Sequence, residues 1–255
     1  LLARLVAIPS TSQEPEGAPA LRQYLDDAIR PWLDRLGFES AIHPNPLPGF
    51  GPILTATRIE DPARPTVLLY GHGDTVRGLE DQWQKGLRPW SLTDAGDRWY
   101  GRGTADNKGQ HAINLAALEA VLAERGGKLN ANVKFVLEMA EERGSRGLKE
   151  FVAAQRDHLA ADALIASDGP RVTPDLPTIA TGTRGTFHFD LVVKLREGGV
   201  HSGHWGGLTR DPAILLAHAI AAIADRDGQI LVRDWLPPGG VAPAVRAVLE
   251  GCPVG

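Results

Sequence analysis

Four short clusters of ionisable residues in this sequence contain side chains that can bind a metal ion. In chain order they are Gly71-His72-Gly73-Asp74, residues 101–109 with Asp106, Glu141-Glu142, and Ser167-Asp168. A neutral imidazole is a common metal ligand, and a carboxylate two residues away can hold the ring in the correct tautomer. Adjacent carboxylates are unfavourable neighbours unless a cation or a proton separates their roles. Together these side chains form a nitrogen and oxygen donor set that suits zinc, with manganese or cobalt as substitutes.

The clusters contain more carboxylates than one zinc ion needs, so a two-metal hydrolase site is one interpretation. In such a site a carboxylate bridges two ions that hold a water molecule between them. Purely structural interpretations of the same residues are also open. A His or an Asp next to glycine often only forms a turn, and a pair of carboxylates often caps the next helix.

Residues 101–109 allow a further interpretation, because a glycine-rich loop that enters a helix can cradle a phosphate. The loop lacks the Gly-Lys-Ser/Thr order of a P-loop and the glycine spacing of a dinucleotide-binding turn. An anionic Asp106 near the helix N-terminus, free to face a cation, is the better alternative.

Strands that alternate with helices would bring the four clusters to one edge of a sheet. The predicted strands are residues 67–70, 133–137 and 163–166. The predicted helices are residues 21–36, residues 112–122 and a helix from about Ser145. The first of these helices should have a kink at Pro31 and stop at Gly37. This alternation indicates an α/β fold with a largely parallel sheet, whose sites lie where the strands end. Three strands end close to a His or a carboxylate, which favours the metal interpretation.

The pattern changes after Gly182. Residues 187–194 alternate between the two faces of a strand, as in a sheet with one solvated face. A helix is predicted from Asp211-Pro212, an N-cap followed by proline at the first helical position. We therefore expect one domain over residues 1–182 and part of a second, α+β domain over residues 183–255.

The composition limits the kinds of partner that the protein can have and the cellular compartment in which we expect it. The 255 residues carry a formal net charge of −4, which argues against nucleic acid as the main partner. No stretch approaches the apolar run of about 20 residues that a membrane span needs. The single cysteine, Cys252, excludes an internal disulfide and fits a reducing compartment, so we expect a cytoplasmic protein. The chain opens at Leu1 within a predicted helix, and we expect it to be a fragment.

In order and spacing, these clusters resemble the signature of the M20 metallopeptidase family, which includes carnosine dipeptidases, carboxypeptidase G2 and acetylornithine deacetylase. The resembling segments are residues 71–76 (GHGDTV), 100–109 (YGRGTADNKG), 141–145 (EERGS) and 167–168 (SD). His201-Ser202-Gly203 resembles the motif of the family's lid domain in its dipeptidase-like branch, so the resemblance covers essentially the whole chain. It implies a zinc-peptidase-like catalytic domain over residues 1–182, lacking its C-terminal part, and a partial lid and dimerisation domain over residues 183–255.

The resemblance assigns ligand roles to four side chains. His72 and Asp168 would bind one zinc ion. Glu142 would bind a second zinc ion, and Asp106 would bridge the two. The resemblance also implies a cis peptide bond between Asp106 and Asn107.

Three further residues receive catalytic roles from the resemblance. Asp74 would orient His72. Glu141 would be the general base, which takes a proton from the metal-bridging water and then gives one to the leaving amine. His201 would reach across a homodimer and stabilise the oxyanion in the partner's site. The implied substrate is a dipeptide or an N-acylated amino acid, whose amide bond is hydrolysed, and neither nucleic acid nor a membrane is an expected partner.

The sequence departs from the family pattern at one metal ligand. Family members take a further zinc-binding His from the part of the catalytic domain that follows the lid, whereas no His follows His218 here. One zinc site would thus have His72, Asp106 and Asp168, but the other only Asp106 and Glu142. We expect this chain alone to load metal partially and to show little or no activity.

Two other classes of function stay open at this point. A non-catalytic binding or regulatory module could keep the hydrolase scaffold, although such a module would not need to keep Glu141. A phosphate or nucleotide binder that uses residues 101–109 would show no dependence on zinc.

Overall fold

A computed structural model describes residues 1–169, 171, 173, 175–179, 185–186, 188–236 and 239–251. The chain divides into two compact units, Leu1–Gly169 and Pro170–Gly255. The boundary that the sequence predicts, between residues 182 and 183, lies outside the described residues, as do Phe187 and Cys252. The assignment of a catalytic and a lid domain therefore stays a prediction.

A five-stranded sheet forms the centre of the first unit. The strands of this unit are β1 (Glu39–His43), β2 (Ile53–Arg58), β3 (Thr66–His72), β4 (Thr93–Asp94), β5 (Trp99–Tyr100), β6 (Asn132–Glu138) and β7 (Ala163–Ala166). β4 and β5 pair with each other, and the other five form a sheet in the order β1-β2-β6-β3-β7. β3 is parallel to β6 and β7, whereas β2 is antiparallel to β1 and β6. Four of the five strands thus point the same way, which confirms the predicted α/β fold with a mostly parallel sheet.

Helices cover both faces of this sheet. They are α1 (Leu2–Val6), α2 (Ala18–Gln23), α3 (Arg30–Arg35), α4 (Lys108–Glu124), α5 (Leu148–Ala154) and α6 (Arg156–Leu159), with a π-helical segment at Tyr24–Ile29 and 3₁₀ turns at Pro15–Gly17, Glu80–Gln82 and Glu141–Arg143. Leu54, Leu69 and Phe135 belong to one core with α2, α3 and α4. Ile53 and Val136, their neighbours along the strands, belong to a second core with α5 and α6. Successive residues along a strand thus pack into different cores, as expected for a sheet that is buried on both faces.

The first long helix departs from α-helical geometry where Pro31 interrupts it. Pro31 has no N–H, so the carbonyl oxygen of Asp27 lacks its usual donor within the helix. Arg4 donates to that oxygen instead, at 3.0 Å. The π-helical segment ends two residues before Pro31, and the helix stops just before Gly37, whose φ is 73°. The predicted irregularity at Pro31 is therefore a π-type widening, and the predicted stop at Gly37 is confirmed.

The second unit contains three helices among its described residues. They are α7 (Ser202–Trp205), α8 (Pro212–Ile223) and α9 (Pro243–Glu250), with a 3₁₀ turn at Arg233–Trp235. α8 begins as predicted, because Oδ1 of Asp211 accepts from the backbone N–H of Ala213 at 2.8 Å. Residues 188–194, whose alternation predicts a strand, pair with no neighbouring strand in the part of this unit that the structure describes. A strand needs such a neighbour to satisfy its backbone groups.

No helix in the described part of the chain has both the length and the apolar character needed to cross a membrane.

Replacing a side chain at the centre of the sheet tests the described packing. Phe135 of β6 is fully buried, so Phe135→Ala leaves a cavity, and we expect it to lower the free energy of unfolding of the first unit by about 3–5 kcal/mol. Ile113→Ala on α4 is the control, because Ile113 is 69% exposed. Its effect is expected to stay within about 0.5 kcal/mol. Urea unfolding followed by circular dichroism measures both variants, and equal effects would contradict this packing.

Candidate metal centre

The carboxyl ends of β6, β3 and β7 meet at one edge of the sheet because the three strands are parallel neighbours. His72 is the last residue of β3, and the acidic turn at Glu141–Arg143 follows β6. Asp168 lies two residues beyond β7, and Asp106 lies just before the N-terminus of α4. The fold therefore places all four predicted clusters around one edge, as the alternation of strands and helices predicts.

His72 is fully buried and has a different environment at each ring nitrogen. Its Nδ1 lies 3.0 Å from the backbone carbonyl oxygen of Asp74 and 3.4 Å from the Asp74 carboxylate. A carbonyl oxygen only accepts, so Nδ1 carries a proton. Nε2 faces two carboxylates, with Asp106 Oδ1 at 2.8 Å and Asp168 Oδ2 at 3.7 Å. In the neutral ring the lone pair of Nε2 is thus directed at the position where a cation would contact all three residues.

His72, Asp106 and Asp168 form a group in which one ligand atom from each residue lies within 4.8 Å of the others. One imidazole nitrogen and two carboxylate oxygens are donors that zinc and similar divalent ions accept. The Asp106 side chain is 65% exposed, whereas that of His72 is buried, so the group opens to solvent on one side. The donor set therefore fits a divalent cation.

At this edge of the sheet the carboxylates outnumber the positively charged groups. Burial lowers the pKa of His72, but the hydrogen bond to Asp74 and the charges of Asp74, Asp168 and Glu141 outweigh burial and raise the pKa to about 9. Burial and the charge of Asp106 raise the pKa of Glu142 to about 6. A cation bound among these groups would relieve the repulsion between their carboxylates.

The buried carboxylate of Asp74 connects His72 to the acidic turn. Its Oδ1 accepts from the backbone N–H of Glu141 and its Oδ2 from that of Glu142, both at 3.2 Å. The resemblance assigns Asp74 to the orientation of His72. In the structure the Asp74 backbone carbonyl lies closer to the imidazole than the carboxylate does, and the carboxylate also fixes the turn that carries the two glutamates.

The two glutamates of the turn take different positions. Oε2 of Glu141 lies 3.9 Å from Nε2 of His72, at the edge of the three-residue group. Oε1 of Glu142 accepts from the backbone N–H of Val76 at 3.3 Å, and Glu142 is not a member of the group. The structure thus brings Glu141 to the candidate centre and places Glu142 beside it.

His201 belongs to the second unit, so its role across a dimer stays a prediction. It is the N-cap of α7, where its Nδ1 accepts from the backbone N–H of Gly203 at 3.1 Å. Its ring lies 4.7 Å from that of His204, measured between centroids.

Asn107 and Lys108, two buried residues that follow Asp106, support the site although neither is among the predicted site residues. Nζ of Lys108 donates to the carbonyl oxygens of Leu5 at 2.9 Å and Ile8 at 2.7 Å, which ties the Asp106 loop to the N-terminal segment. Asn107 follows the cis peptide bond that the resemblance implies, and the structure contains that bond. A polar pair directly after a candidate ligand, at the start of an apolar helix, is the signal that could have identified both.

A match with a protein family accounts for this arrangement. Residues 68–230 match the model of peptidase family M20/M25/M40. The chain belongs to this family. The resemblance seen in the sequence is thereby confirmed, as is the expectation that the chain belongs to an enzyme. A family of metallopeptidases implies a divalent metal cofactor, in agreement with the donor set of His72, Asp106 and Asp168.

Several proteins similar to this chain carry dipeptidase names. The Beta-Ala-His dipeptidase of Mus musculus is 35% identical over 243 residues, which cover 89% of this chain and 48% of that protein. The Cysteinylglycine-S-conjugate dipeptidase of Corynebacterium striatum is 33% identical over 204 residues, 78% of this chain and 43% of that protein. The crystal structure of human carnosine dipeptidase 1 matches with a TM-score of 0.74 and 29% identity, covering 100% of this chain and 56% of that one. The chain thus spans about half the length of these relatives.

Thermal and chemical unfolding test whether the three-residue group binds a cation. Zinc at 100 times its dissociation constant is expected to stabilise the first unit by about 2.7 kcal/mol, because the ion binds the folded state only. EDTA should reverse this gain, and His72→Ala or Asp106→Ala should abolish it. His158→Ala removes an exposed histidine and is expected to keep the full gain. An equal gain in His72→Ala would show that the ion binds elsewhere.

Proposed function

We propose that the protein containing this chain hydrolyses the amide bond of a dipeptide with the help of bound zinc. The observation that carries the proposal is the group of His72, Asp106 and Asp168, with Glu141 at its edge. The dipeptidase names of the relatives support the substrate class. An N-acylated amino acid is the second candidate substrate, because its scissile bond is chemically the same amide.

Four side chains would hold two zinc ions in this proposal. His72 and Asp168 would bind the first ion and Glu142 the second, with Asp106 between them; manganese or cobalt could replace zinc. When bound, such ions polarise the scissile carbonyl and lower the pKa of water. The position of Glu142 beside the three-residue group, where its pKa rises through burial and the charge of Asp106, supports a ligand role.

Glu141 is the proposed general base. Its backbone is fixed by the Asp74 carboxylate, and its own carboxylate lies 3.9 Å from Nε2 of His72. From there Glu141 would accept a proton from the attacking water and deliver a proton to the leaving amine. Asp74 would keep both His72 and Glu141 in place for this transfer. A module without catalytic function would not need Glu141, so its presence favours catalysis over that alternative.

The proposal also covers the oligomeric state of the protein and its location in the cell. The protein would act as a homodimer through the unit that contains His201, and His201 would stabilise the oxyanion in the partner's site. The resemblance of His201-Ser202-Gly203 to the family's lid motif supports this role. A single cysteine in 255 residues supports a cytoplasmic location, and the net charge of −4 supports a small peptide rather than nucleic acid as the partner.

Removal of the base tests the mechanism in the complete protein. Glu141→Ala is expected to lower turnover of a dipeptide by about 100-fold or more while zinc content stays unchanged, because the variant removes a proton acceptor and no ligand. Glu150→Ala, which removes an exposed carboxylate on α5, is the control and should keep full activity. Steady-state kinetics and metal analysis by mass spectrometry measure the two effects. Full activity of Glu141→Ala would contradict the assignment.

The 255-residue chain by itself tests the two-ion arrangement. The first ion would find three ligands here, whereas the second would find Asp106 and Glu142. We expect about one tightly bound zinc ion per chain after dialysis, with little or no dipeptide hydrolysis. Two tightly bound ions per chain, or turnover equal to that of the complete protein, would show that these residues hold both ions without a further histidine.

A further inference from the structure

Asn107 is fully buried and contacts the chain at the end of β3, which contains His72, and just after β7, which precedes Asp168. Its Oδ1 accepts a hydrogen bond from the backbone N–H of His72 at 3.2 Å, and its Nδ2 donates to the carbonyl oxygen of Ser167 at 2.7 Å. Ser167 precedes Asp168, and Asn107 itself follows Asp106. One side chain therefore connects the backbone positions of all three residues of the candidate metal group.

Backbone groups determine the orientation of the Asn107 amide. The N–H of His72 only donates and the carbonyl of Ser167 only accepts, so the opposite orientation would place donor against donor and acceptor against acceptor. The packing around the amide is also tight. A Cβ atom added to Gly71 would lie 2.9 Å from Oδ1 of Asn107. These hydrogen bonds and close contacts hold the amide between the strands.

His111 and Tyr24 support this amide from the side of the helices. Nδ1 of His111 lies 3.3 Å from Oδ1 of Asn107, which only accepts, so the proton of the neutral ring is on Nδ1. Nε2 of His111 then accepts from the hydroxyl of Tyr24 at 2.6 Å. Burial lowers the pKa of His111 to about 3, so the ring is neutral. All three side chains of this Tyr24–His111–Asn107 network are fully buried.

We propose that the Tyr24–His111–Asn107 network positions the metal ligands by setting the separation of His72 and Asp168. The inference rests on the proposed metal centre. Packing alone does not require these residue types, since burying polar groups costs free energy and apolar side chains of similar size would fill the same space. Hydrogen bonds that orient metal ligands commonly change metal affinity by about 10- to 100-fold when they are removed.

Titration of the 255-residue chain with Co²⁺ tests this role, because the visible absorption of bound Co²⁺ depends on ligand geometry. Tyr24→Phe keeps the ring and removes the hydroxyl that holds His111. We expect its affinity for Co²⁺ to fall about 10-fold and its visible spectrum to change. Asn107→Leu removes the amide at similar volume, and its affinity is expected to fall by up to about 100-fold.

Tyr70→Phe is the matched control for loss of stability. It also removes one hydroxyl hydrogen bond, that from Tyr70 to Glu138 at 2.6 Å, on the strand that carries His72. It leaves every contact of the network in place, so its Co²⁺ affinity and spectrum should equal those of the wild type. If Tyr24→Phe lowers the melting temperature but binds Co²⁺ like the wild type, as is expected of Tyr70→Phe, the positioning role is wrong.

The tautomer of His111 provides a further test. This test needs no bound metal, and it does not require that Asn107→Leu folds. Long-range ¹H–¹⁵N spectra of the histidine rings in the metal-free wild type should place the proton of His111 on Nδ1. A proton on Nε2 would overturn the network. A wild-type chain that binds no Co²⁺ would overturn the metal centre and the positioning role together. Equal Co²⁺ binding by wild type and Tyr24→Phe would overturn the positioning role alone.

Discussion

Repulsion between carboxylates gathered around one imidazole is the constraint on which this structure depends. Asp106, Asp168 and Glu141 each place an oxygen within 3.9 Å of Nε2 of His72, and Asp74 lies against the other ring nitrogen. Like charges this close raise one another's pKa, and a positive charge among them relieves the repulsion. A proton on His72 is one such charge, and the pKa of His72 is raised to about 9. The divalent cofactor of the family meets the same need, and it would compete with that proton for Nε2.

The backbone that carries these carboxylates is held in place by the sheet and by buried side chains. β3 is hydrogen-bonded on both sides in parallel register, and the backbone N–H of Gly73 extends that ladder to the Glu138 carbonyl at 2.9 Å. The Asp74 carboxylate then fixes the acidic turn, and the buried Lys108 holds the Asp106 loop to the N-terminal segment. These contacts hold the backbone that carries the ligands, which is how proteins keep ligands at the spacing that a metal requires.

Local patterns in the sequence were sufficient to predict the three strands and the ionisable residues that meet at this edge of the sheet. Each of β3, β6 and β7 contains an apolar run that predicts a strand, and an ionisable residue follows each run. These separate signals agree with one another. β1 and β2 were not predicted, because neither alternates cleanly. Four consecutive residues of β2, Thr55 among them, are buried because β2 lies inside the sheet, beside the distant β6, and both faces of the sheet are covered. The Tyr24–His111–Asn107 network also could not be predicted, since its members lie up to 87 positions apart and meet only after the helices pack.

Anomalous X-ray scattering at the zinc absorption edge tests the central claim most directly. Crystals of the 255-residue chain grown with zinc should show an anomalous peak about 2.0–2.2 Å from Nε2 of His72 and from one oxygen each of Asp106 and Asp168. A peak at this position would show that the crowded carboxylates form a metal centre. Well-ordered density for these three side chains, with no peak among them and with zinc bound elsewhere, would contradict the account.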